Sequence, residues 1–280
     1  MLDAAKPNPG PLDRLEDAVR PYAKALTAFS GGVDSTLVAA VARRVLGRDN
    51  APAVIGDSPS LPRSELAQAR ELAEALDLRL VVIAPNEQDD PGYQANAGDR
   101  CYYCKTHLYE HLHAYAAEHD YTTIFNGTNA DDLGDHRPGL RAADEAEVVS
   151  PLVAAGLDKD DVRELAKELG LPNWDKPAAA CLASRIPYGT PVTLKRLAQV
   201  EAAEAALQSL GFVGLRVRHH DQVARIELPA DQMQQILDPD VRLGVARAVK
   251  SAGFLYVSLD LEGFRSGSGN VALTVSGLHA

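Results

Sequence analysis

Two glycines and an acid lie at the start of one helical pattern near the N-terminus. The segment AFSGGVDSTLVAAVARRVLG passes from an apolar run through Ser30, Gly31 and Gly32 into a helix. Peptide N–H groups at a helix N-terminus attract anions, and glycine lets a phosphate approach the backbone. Asp34 would repel that phosphate unless a Mg²⁺ ion lay between them. The pattern predicts a magnesium–phosphate site, and an ordinary capped turn is the alternative.

Two later loops are candidates for the same site. Each follows an apolar run and carries acids, hydroxyls or glycine, although an ordinary turn with a helix cap is the alternative for both. We therefore expect Mg²⁺ at Asp34 and nucleotide contacts from residues of all three loops. The candidate nucleotide contacts are Ser30, Gly31, Gly32, Val33, Asp34, Ser35, Thr36, Asp57, Ser58, Gly127, Asp131 and Asp132.

Three cysteines form a second group of candidate chemical residues. Cys101 and Cys104 are spaced i, i+3 in RCYYCK, and Cys181 lies in DKPAAACLASR. Three thiolates can hold a [4Fe–4S] cluster and leave one iron open. Lys176 and Arg185 flank Cys181 in the chain, and a nearby positive charge stabilises a thiolate. Cys181 is therefore a candidate nucleophile or metal ligand.

Spacing alone leaves other assignments of these cysteines open. His107, His111 and His113 follow the CxxC pair and suggest zinc. However, these ligands would form one stripe along a single helix, whereas tetrahedral zinc normally uses two ligand pairs separated by a longer connector. A redox disulfide between Cys101 and Cys104 and a pair of unreactive buried thiols are the remaining alternatives.

Short apolar runs alternate with helical patterns through the first two-thirds of the chain. This alternation predicts an α/β fold with a parallel sheet flanked by helices. Ligands of such sheets bind in loops at the carboxyl ends of the strands, where the candidate loops lie. The predicted strands are 25–29, 52–56, 79–84 and 122–126, and the predicted helices are 35–46, 63–76, 105–118 and 159–169.

The pattern changes after Pro187. A turn-rich link leads into a helix, two strands, a second helix and a last strand, which breaks the earlier alternation. We therefore expect a nucleotide-binding domain over 1–187 and a smaller C-terminal α+β domain over 188–280, which would contribute to substrate binding and oligomerisation. The predicted elements are helices at 193–210 and 230–251 and strands at 214–219, 223–228 and 254–260.

The composition narrows the classes of partner. The chain has 28 basic and 39 acidic residues, a formal net charge of -11, so a broad nucleic-acid-binding face is not expected. No apolar stretch approaches the roughly 18–20 residues of a membrane span, and no signal-peptide pattern is present. We expect a cytoplasmic protein that acts on a small-molecule nucleotide, without membrane or nucleic-acid partners.

Several longer motifs resemble one enzyme family. SGGVDS is similar to the pyrophosphate loop (PP-loop) of the N-type ATP pyrophosphatases, which have an adenine nucleotide alpha hydrolase-like fold. The strings DSPSLPR, RCYYCK, GTNADD, RPGLRA, CLASRIPYG and GFRSGS resemble the LarE-type ATP-dependent sulfur transferases. The similarity covers residues 12 to 270, and the last two strings are the narrowest signatures.

The resemblance implies a reaction. Enzymes of this family use ATP to adenylate a carboxylate of pyridinium-3,5-biscarboxylic acid mononucleotide, releasing pyrophosphate, and then form a thiocarboxylate for a nickel-pincer nucleotide cofactor. In one branch the cysteine matching Cys181 gives up its own sulfur. The presence of Cys101 and Cys104 resembles the other branch, in which three cysteines carry a [4Fe–4S] cluster whose open iron binds hydrosulfide. The family also implies a homo-oligomer.

A basic clamp is expected for the phosphate of such a substrate. Arg216 and Arg218 lie two residues apart, on one face of a predicted strand. They could bind the phosphate bidentately, with a contribution from Arg185. Ordinary surface exposure is the alternative for these side chains.

Three rival functions share parts of this pattern. A tRNA-thiolating enzyme would share the pyrophosphate loop, but the chain has no basic RNA-binding module. An ammonia-using synthetase related to NAD or GMP synthetase would not need three cysteines. A non-catalytic nucleotide-binding module is the third alternative.

Overall fold

The computed structural model describes residues 9–134 and 138–265. The chain forms two compact units. Unit 1 comprises Met1–Asp57, Arg63–Pro85 and Cys104–Ala179, and unit 2 comprises Ser58–Pro62, Asn86–Tyr103 and Ala180–Ala280, each as far as it is described. The sequence-based division into 1–187 and 188–280 stays a prediction.

Ten helices occur in the described residues. Those predicted at 35–46, 63–76, 105–118 and 159–169 are present, and the third begins five residues earlier than expected. In chain order the helices are α1 (Pro11–Val19), α2 (Val33–Leu46), α3 (Arg63–Ala75), α4 (Pro91–Ala95), α5 (Arg100–Glu118), α6 (Pro138–Glu145), α7 (Pro151–Ala154), α8 (Lys159–Glu168), α9 (Leu194–Ser209) and α10 (Pro239–Ser251).

Unit 1 is built on a parallel sheet. Its strands are β1 (Leu26–Ala28), β2 (Ala53–Gly56), β3 (Leu80–Ile83) and β4 (Ile124–Phe125), in the order β3-β2-β1-β4. Every neighbouring pair is parallel, and Phe125 also pairs in parallel with Val149 beyond the edge. The predicted α/β architecture with a parallel sheet and flanking helices is therefore confirmed.

The core of unit 1 fixes the direction of α2. Leu37, Val38 and Val41 of this helix are buried and pack in one cluster with residues of α1 and α8. Gly47, at φ +88, ends the helix. Burial of these aliphatic side chains is the main favourable contribution to the free energy of folding here. It therefore fixes the start of α2 directly after the end of β1.

Unit 2 contains a mixed sheet of three strands. Strands β5 (Arg216–His220) and β6 (Val223–Glu227) are antiparallel, whereas β6 and β7 (Tyr256–Leu259) are parallel. Helices α9 and α10 pack together and share a core with the sheet through Leu207, Val217 and Val249. The predicted small α+β arrangement after Pro187 is present.

Among the described residues, no helix is both long and apolar enough to cross a membrane.

His219 is a buried titratable group in unit 2. Its ring lies 5.1 Å from the ring of Phe254, and its Nε2 lies 3.2 Å from Oε1 of Gln199. Its Nδ1 has no hydrogen-bond partner in the described part of the chain. Burial lowers the pKa of His219, the charges of Arg196 and His220 lower it further, and Asp221 opposes them.

The lowered pKa of His219 predicts acid sensitivity. As the pH falls below about 6.5, His219 becomes protonated in the unfolded chain but stays neutral in the folded state. The free energy of unfolding therefore decreases with falling pH until the pKa of His219 in the folded state is passed. Urea unfolding at pH 7.5 and 5.5, followed by circular dichroism, should show less loss at low pH for His219→Gln than for the parent. The exposed control His119→Gln should keep the parent's acid sensitivity, and equal losses in all three would contradict the assignment.

Candidate nucleotide and thiol sites

The loop between β1 and α2 has a backbone that only glycine fits. Gly31 has φ +72, in the left-handed region, and an added Cβ would lie 3.1 Å from Cβ of Ala69. The first helical residues, Val33, Asp34 and Ser35, have no intrahelical acceptor for their N–H groups. The loop therefore presents peptide donors at the positive end of α2, as the sequence predicts.

The hydroxyl groups of this loop bind the loop itself. Ser35 Oγ and Thr36 Oγ1 donate to the carbonyl of Gly32 at 3.1 and 2.8 Å. Ser30 Oγ lies 3.0 Å from Ser35 Oγ and accepts from the N–H of Gly32 at 3.3 Å. The two buried hydroxyls thus stabilise the turn.

Asn173 contacts this loop from a distant position in the chain, and sequence reasoning missed it. Its Nδ2 donates to the carbonyl of Gly31 at 3.1 Å and to Thr36 Oγ1 at 3.0 Å. In a trans peptide the carbonyl and the following N–H point in opposite directions, so binding the Gly31 carbonyl turns the Gly32 N–H away from Asn173. The string LPNWDK carries no signal that would have identified it.

Gly127 lies against the first turn of α2. A Cβ at this position would stand 2.6 Å from the backbone nitrogen of Ser35, so no side chain fits there. In the structure the backbone of α2 lies at this close approach, and a contact of Gly127 with ATP stays a prediction.

A charge cluster includes two of the predicted acids. Lys159 Nζ lies 2.5 Å from Oδ2 of Asp34, and Asn129 Nδ2 donates to Oδ1 of the same carboxylate at 3.1 Å. The backbone N–H of Lys159 donates to Oδ2 of Asp131 at 3.0 Å. Sequence reasoning missed Lys159. The capping residue Asp158 predicts that α8 begins at Lys159, but it does not predict the contact with Asp34.

The carboxylate of Asp34 fits Mg²⁺ by its chemistry, because the ion prefers oxygen ligands and Asp34 remains partly accessible, with 23% of its side chain exposed. The ammonium of Lys159 lies where such a cation would bind Oδ2. A bound Mg²⁺ would therefore displace Lys159 from Asp34.

Two further acids and one serine among the predicted contact residues make local contacts. Asp57 Oδ1 lies 2.5 Å from Nη1 of Arg63, and Oδ2 of Asp132 accepts from the N–H of Asn129 at 3.1 Å. Ser58 belongs to unit 2, where its hydroxyl donates to Glu87. A role of these three residues in ATP binding stays a prediction.

Cys181 presents an exposed thiol on a fixed backbone. It caps a short helical turn, Leu182–Arg185, and the N–H of Leu182 donates to the carbonyl of Ser60 at 2.8 Å. The carbonyl of Cys181 accepts from Arg185 Nη1 at 3.0 Å and from Ser184 Oγ at 2.7 Å. Both ends of the peptide group after Cys181 are therefore hydrogen-bonded.

The cations expected beside Cys181 have other partners. Lys176 Nζ pairs with Glu65 at 2.7 Å, and Arg185 directs its guanidinium to Glu204 and to backbone carbonyls. Arg100, which precedes Cys101, is the cation whose pKa responds to the thiols. Burial lowers the pKa of Arg100, but electrostatic interactions with Cys181, Cys101 and two nearby tyrosines outweigh burial and raise it.

Asn96 and Arg100 hold the segment that follows Cys181. The fully buried Asn96 donates through Nδ2 to the carbonyls of Pro187 and Thr190, both at 2.8 Å. Arg100 Nη1 donates to the carbonyl of Ala183 at 2.9 Å and also binds Asn96 Oδ1. The thiol-bearing segment is therefore tied to a helix start that also carries Cys101.

The three arginines predicted for a substrate phosphate occur in unit 2. Arg185 and Arg218 are buried and form bidentate pairs with Glu204 and Glu227, at 2.8–3.2 Å. Arg216 lies over the ring of Phe264, and its pKa is lowered by burial and then by the charge of Arg185. A guanidinium with a lowered pKa is one that an anion would stabilise.

The cysteines are free thiols in the structure. Cys101 is exposed and Cys104, one turn later on α5, is half-buried. Within residues 9–134 and 138–265, no group of three or more His, Cys, Asp or Glu side chains is placed to hold a metal ion. Three thiols match an iron–sulfur cluster in donor chemistry. A cluster on these cysteines stays a prediction.

The histidines of the zinc alternative make other contacts. His111 Nδ1 lies 2.9 Å from the carbonyl of His107, and His113 Nε2 lies 2.9 Å from the carbonyl of Ala146. The stripe along α5 therefore does not form a ligand set. Arg137 of RPGLRA and the end of GFRSGS lie outside the described residues.

Comparisons with known proteins find a family model and several relatives that are similar to this chain. The NAD synthase family model matches residues 13–91, which include the glycine loop. The chain is 44% identical over 260 residues to pyridinium-3,5-bisthiocarboxylic acid mononucleotide synthase of Lactiplantibacillus plantarum, covering 93% of this chain and 94% of that protein.

Two further relatives have sequence identities of 45% and 26% with this chain. The uncharacterized protein slr1717 of Synechocystis is 45% identical, covering 94% of this chain and 98% of that protein. One component of the glutamine-hydrolyzing GMP synthase of Methanopyrus kandleri is 26% identical, covering 77% of this chain and 70% of that protein. From near full-length similarity to a synthase, and from the fold and glycine loop of ATP-using enzymes, the chain belongs to the LarE-type sulfur transferase family of PP-loop enzymes.

Proposed function

We propose that the protein is an ATP-dependent sulfur transferase that converts a carboxylate of pyridinium-3,5-biscarboxylic acid mononucleotide into a thiocarboxylate for nickel-pincer nucleotide synthesis. The supporting observation is the loop between β1 and α2, whose Gly31 carbonyl is bound by Asn173. That contact, the left-handed Gly31 and the free N-terminus of α2 suit a phosphate ligand.

In the first step a substrate carboxylate oxygen attacks the α-phosphorus of ATP. The bond from that phosphorus to the bridging oxygen breaks, pyrophosphate leaves, and an acyl-adenylate forms. The peptide N–H groups of Gly32 and Val33 hold the phosphates, and Lys159 moves from Asp34 to a phosphate oxygen. Mg²⁺ bound at Asp34 would neutralise charge on the leaving pyrophosphate.

In the second step sulfur replaces AMP on the activated carboxyl group. A nucleophilic sulfur attacks the acyl carbon, and the bond to the AMP oxygen breaks. We propose that Cys101, Cys104 and Cys181 would hold a [4Fe–4S] cluster, which would supply this sulfur. In the alternative, Cys181 attacks through its own thiolate, then loses its α-proton while its Cβ–S bond breaks, leaving dehydroalanine.

The arginines of unit 2 suit the phosphate of the substrate. Arg185, Arg216 and Arg218 are accompanied by Glu204 and Glu227, so one positive charge remains uncompensated among these five. We propose that the substrate phosphate binds at Arg216, where the neighbouring cations favour an anion.

Asp34→Ala should abolish ATP-dependent pyrophosphate release, because the divalent cation loses its carboxylate ligand. The loss should reach at least about 10²-fold. A coupled pyrophosphate assay over a range of Mg²⁺ concentrations measures it, and circular dichroism checks the fold. Asp49→Ala, an exposed acid after α2, is the matched control. Unchanged release by Asp34→Ala would refute the metal role.

Lys159→Met should lower pyrophosphate release by about 10²-fold while keeping α8, because methionine is a good helix former without a charge. Lys167→Met, at the other end of the same helix, should remain near the parent. Isothermal calorimetry with a non-hydrolysable ATP analogue separates binding from chemistry. Parent-like release by Lys159→Met would show that the ammonium only compensates Asp34.

Iron content distinguishes the two sulfur sources. Protein prepared without oxygen should contain about four irons per chain and lose them in Cys101→Ala/Cys104→Ala. Under the alternative, intact-mass measurement after turnover should instead show conversion of Cys181 to dehydroalanine. Retained iron in the double variant would contradict the cluster proposal, and ammonia-dependent amidation of the substrate would contradict the function itself.

A further inference from the structure

Glu87 is a buried carboxylate that neither the nucleotide loop nor the arginine group uses. It is 1% exposed and begins a short helical turn, Glu87–Asp89, after Asn86 at φ +57. Its Oε1 accepts a hydrogen bond from Ser58, and its buried Oε2 has no partner in the part of the chain that is described. Burying a carboxylate is costly, so its retention calls for a physical reason.

Two serines connect this carboxylate to a loop of unit 2. Ser58 Oγ and Ser60 Oγ lie 2.8 Å apart, whereas Ser60 Oγ lies 3.3 Å from Oε1 of Glu87. Each hydroxyl has one proton, so the shorter path runs from Ser60 to Ser58 and from Ser58 to Glu87. Ser58 Oγ also accepts from the N–H of Ser60 at 3.0 Å. The carboxylate thereby fixes the conformation of residues 58–60.

This loop holds the peptide group that follows Cys181. The carbonyl of Ser60 accepts from the N–H of Leu182 at 2.8 Å. The carbonyl of the same peptide group, which belongs to Cys181, accepts from Arg185 at 3.0 Å. The carbonyl of Ala180, in the peptide group before Cys181, accepts from the same guanidinium nitrogen of Arg185 at 2.7 Å. With the peptide groups on both sides of Cys181 bound, φ and ψ of this residue are set, and the direction of its Cα–Cβ bond is set with them.

We propose that Glu87 is a positioning residue for sulfur transfer, acting through Ser58 and Ser60 on the peptide plane after Cys181. This inference rests on the proposed function, because it assigns Glu87 to the sulfur step and not to adenylation. The nucleotide loop has its own supports in Asn173 and Thr36 of unit 1. Loss of Glu87 therefore affects the sulfur step selectively.

The central variant is Glu87→Ala. Displacing a reacting group by about 1 Å costs on the order of 10²-fold in rate, so we expect thiocarboxylate formation to fall by about 10–100-fold. Pyrophosphate release by the same preparation should stay within about twofold of the parent, because it reports the earlier step. Mass spectrometry of the product and a coupled pyrophosphate assay measure the two.

Two further variants test the nature of the contact. Glu87→Gln keeps an oxygen that accepts the Ser58 proton, so it should restore most of the sulfur transfer lost in Glu87→Ala. Asp89→Asn changes the exposed acid of the same turn and should match the parent in both assays. Failure of Glu87→Gln to exceed Glu87→Ala would overturn the positioning role of Oε1.

A measurement without turnover tests the same idea on the full-length protein. Iron-free protein is treated with iodoacetamide, and peptide mass spectrometry follows alkylation of Cys181, with Cys101 as the internal reference. The rate ratio of Cys181 to Cys101 should change severalfold in Glu87→Ala and remain at the parent value in Asp89→Asn. An unchanged ratio in folded Glu87→Ala would overturn the proposal.

The outcomes separate this inference from the proposed function. If the parent forms no thiocarboxylate, the function fails, whereas a parent that transfers sulfur beside an equally active Glu87→Ala overturns only the inference. Equal losses of pyrophosphate release and sulfur transfer would also overturn it. Should Glu87→Ala not fold, Ser60→Ala removes only one hydroxyl and must give a smaller change of the same kind.

Discussion

Peptide N–H groups that have no acceptor inside the helix are the feature of α2 on which the proposed phosphate site depends. A helix leaves its first donors unsatisfied, and in the preceding turn the N–H of Gly32 donates to Ser30 Oγ at 3.3 Å. Gly31 adopts a left-handed conformation, Gly127 leaves no space for a side chain against Ser35, and Asn173 binds the carbonyl of Gly31.

Both units contain paired charges in their candidate sites. In unit 1, Lys159 lies against Asp34, and under the proposed function a metal ion and a phosphate would separate this pair. In unit 2, Glu204 and Glu227 pair with two arginines, and burial together with the charges of those arginines lowers the pKa of Arg216. A paired charge costs less to bury than an isolated one, so such a site can persist without ligand.

Sequence patterns predicted the four strands of unit 1 and the helices α2, α3, α5 and α8, because strand and helix periods differ and the glycine turn is local. They did not predict α1, α6 or α7. The loop residues Ser30 to Thr36 could be identified from spacing, as could Gly127 after β4. Lys159 and Asn173 could not, because they reach the loop from distant positions of the chain and each looks like an ordinary capping or turn residue. The same holds for Glu87 and Asn96, whose buried contacts depend on how residues 86–103 meet residues 58–62 and 180–192 within unit 2. Spacing predicted the types of side chain that take part, whereas tertiary contacts decided their partners.

Cys181 combines an exposed sulfur with a hydrogen-bonded backbone, and the proposed sulfur transfer requires both properties. A sulfur that attacks an acyl group or binds an iron must be accessible, so its side chain cannot be immobilised by packing. Its position must therefore be set through the main chain. Hydrogen bonds connect the peptide groups on both sides of Cys181 to Ser60 and Arg185, and those two residues contact Glu87 and Glu204. Under the proposed positioning role, the direction of the Cα–Cβ bond of Cys181 is therefore set by groups that do not contact the sulfur, and this gives the buried acids of unit 2 a task.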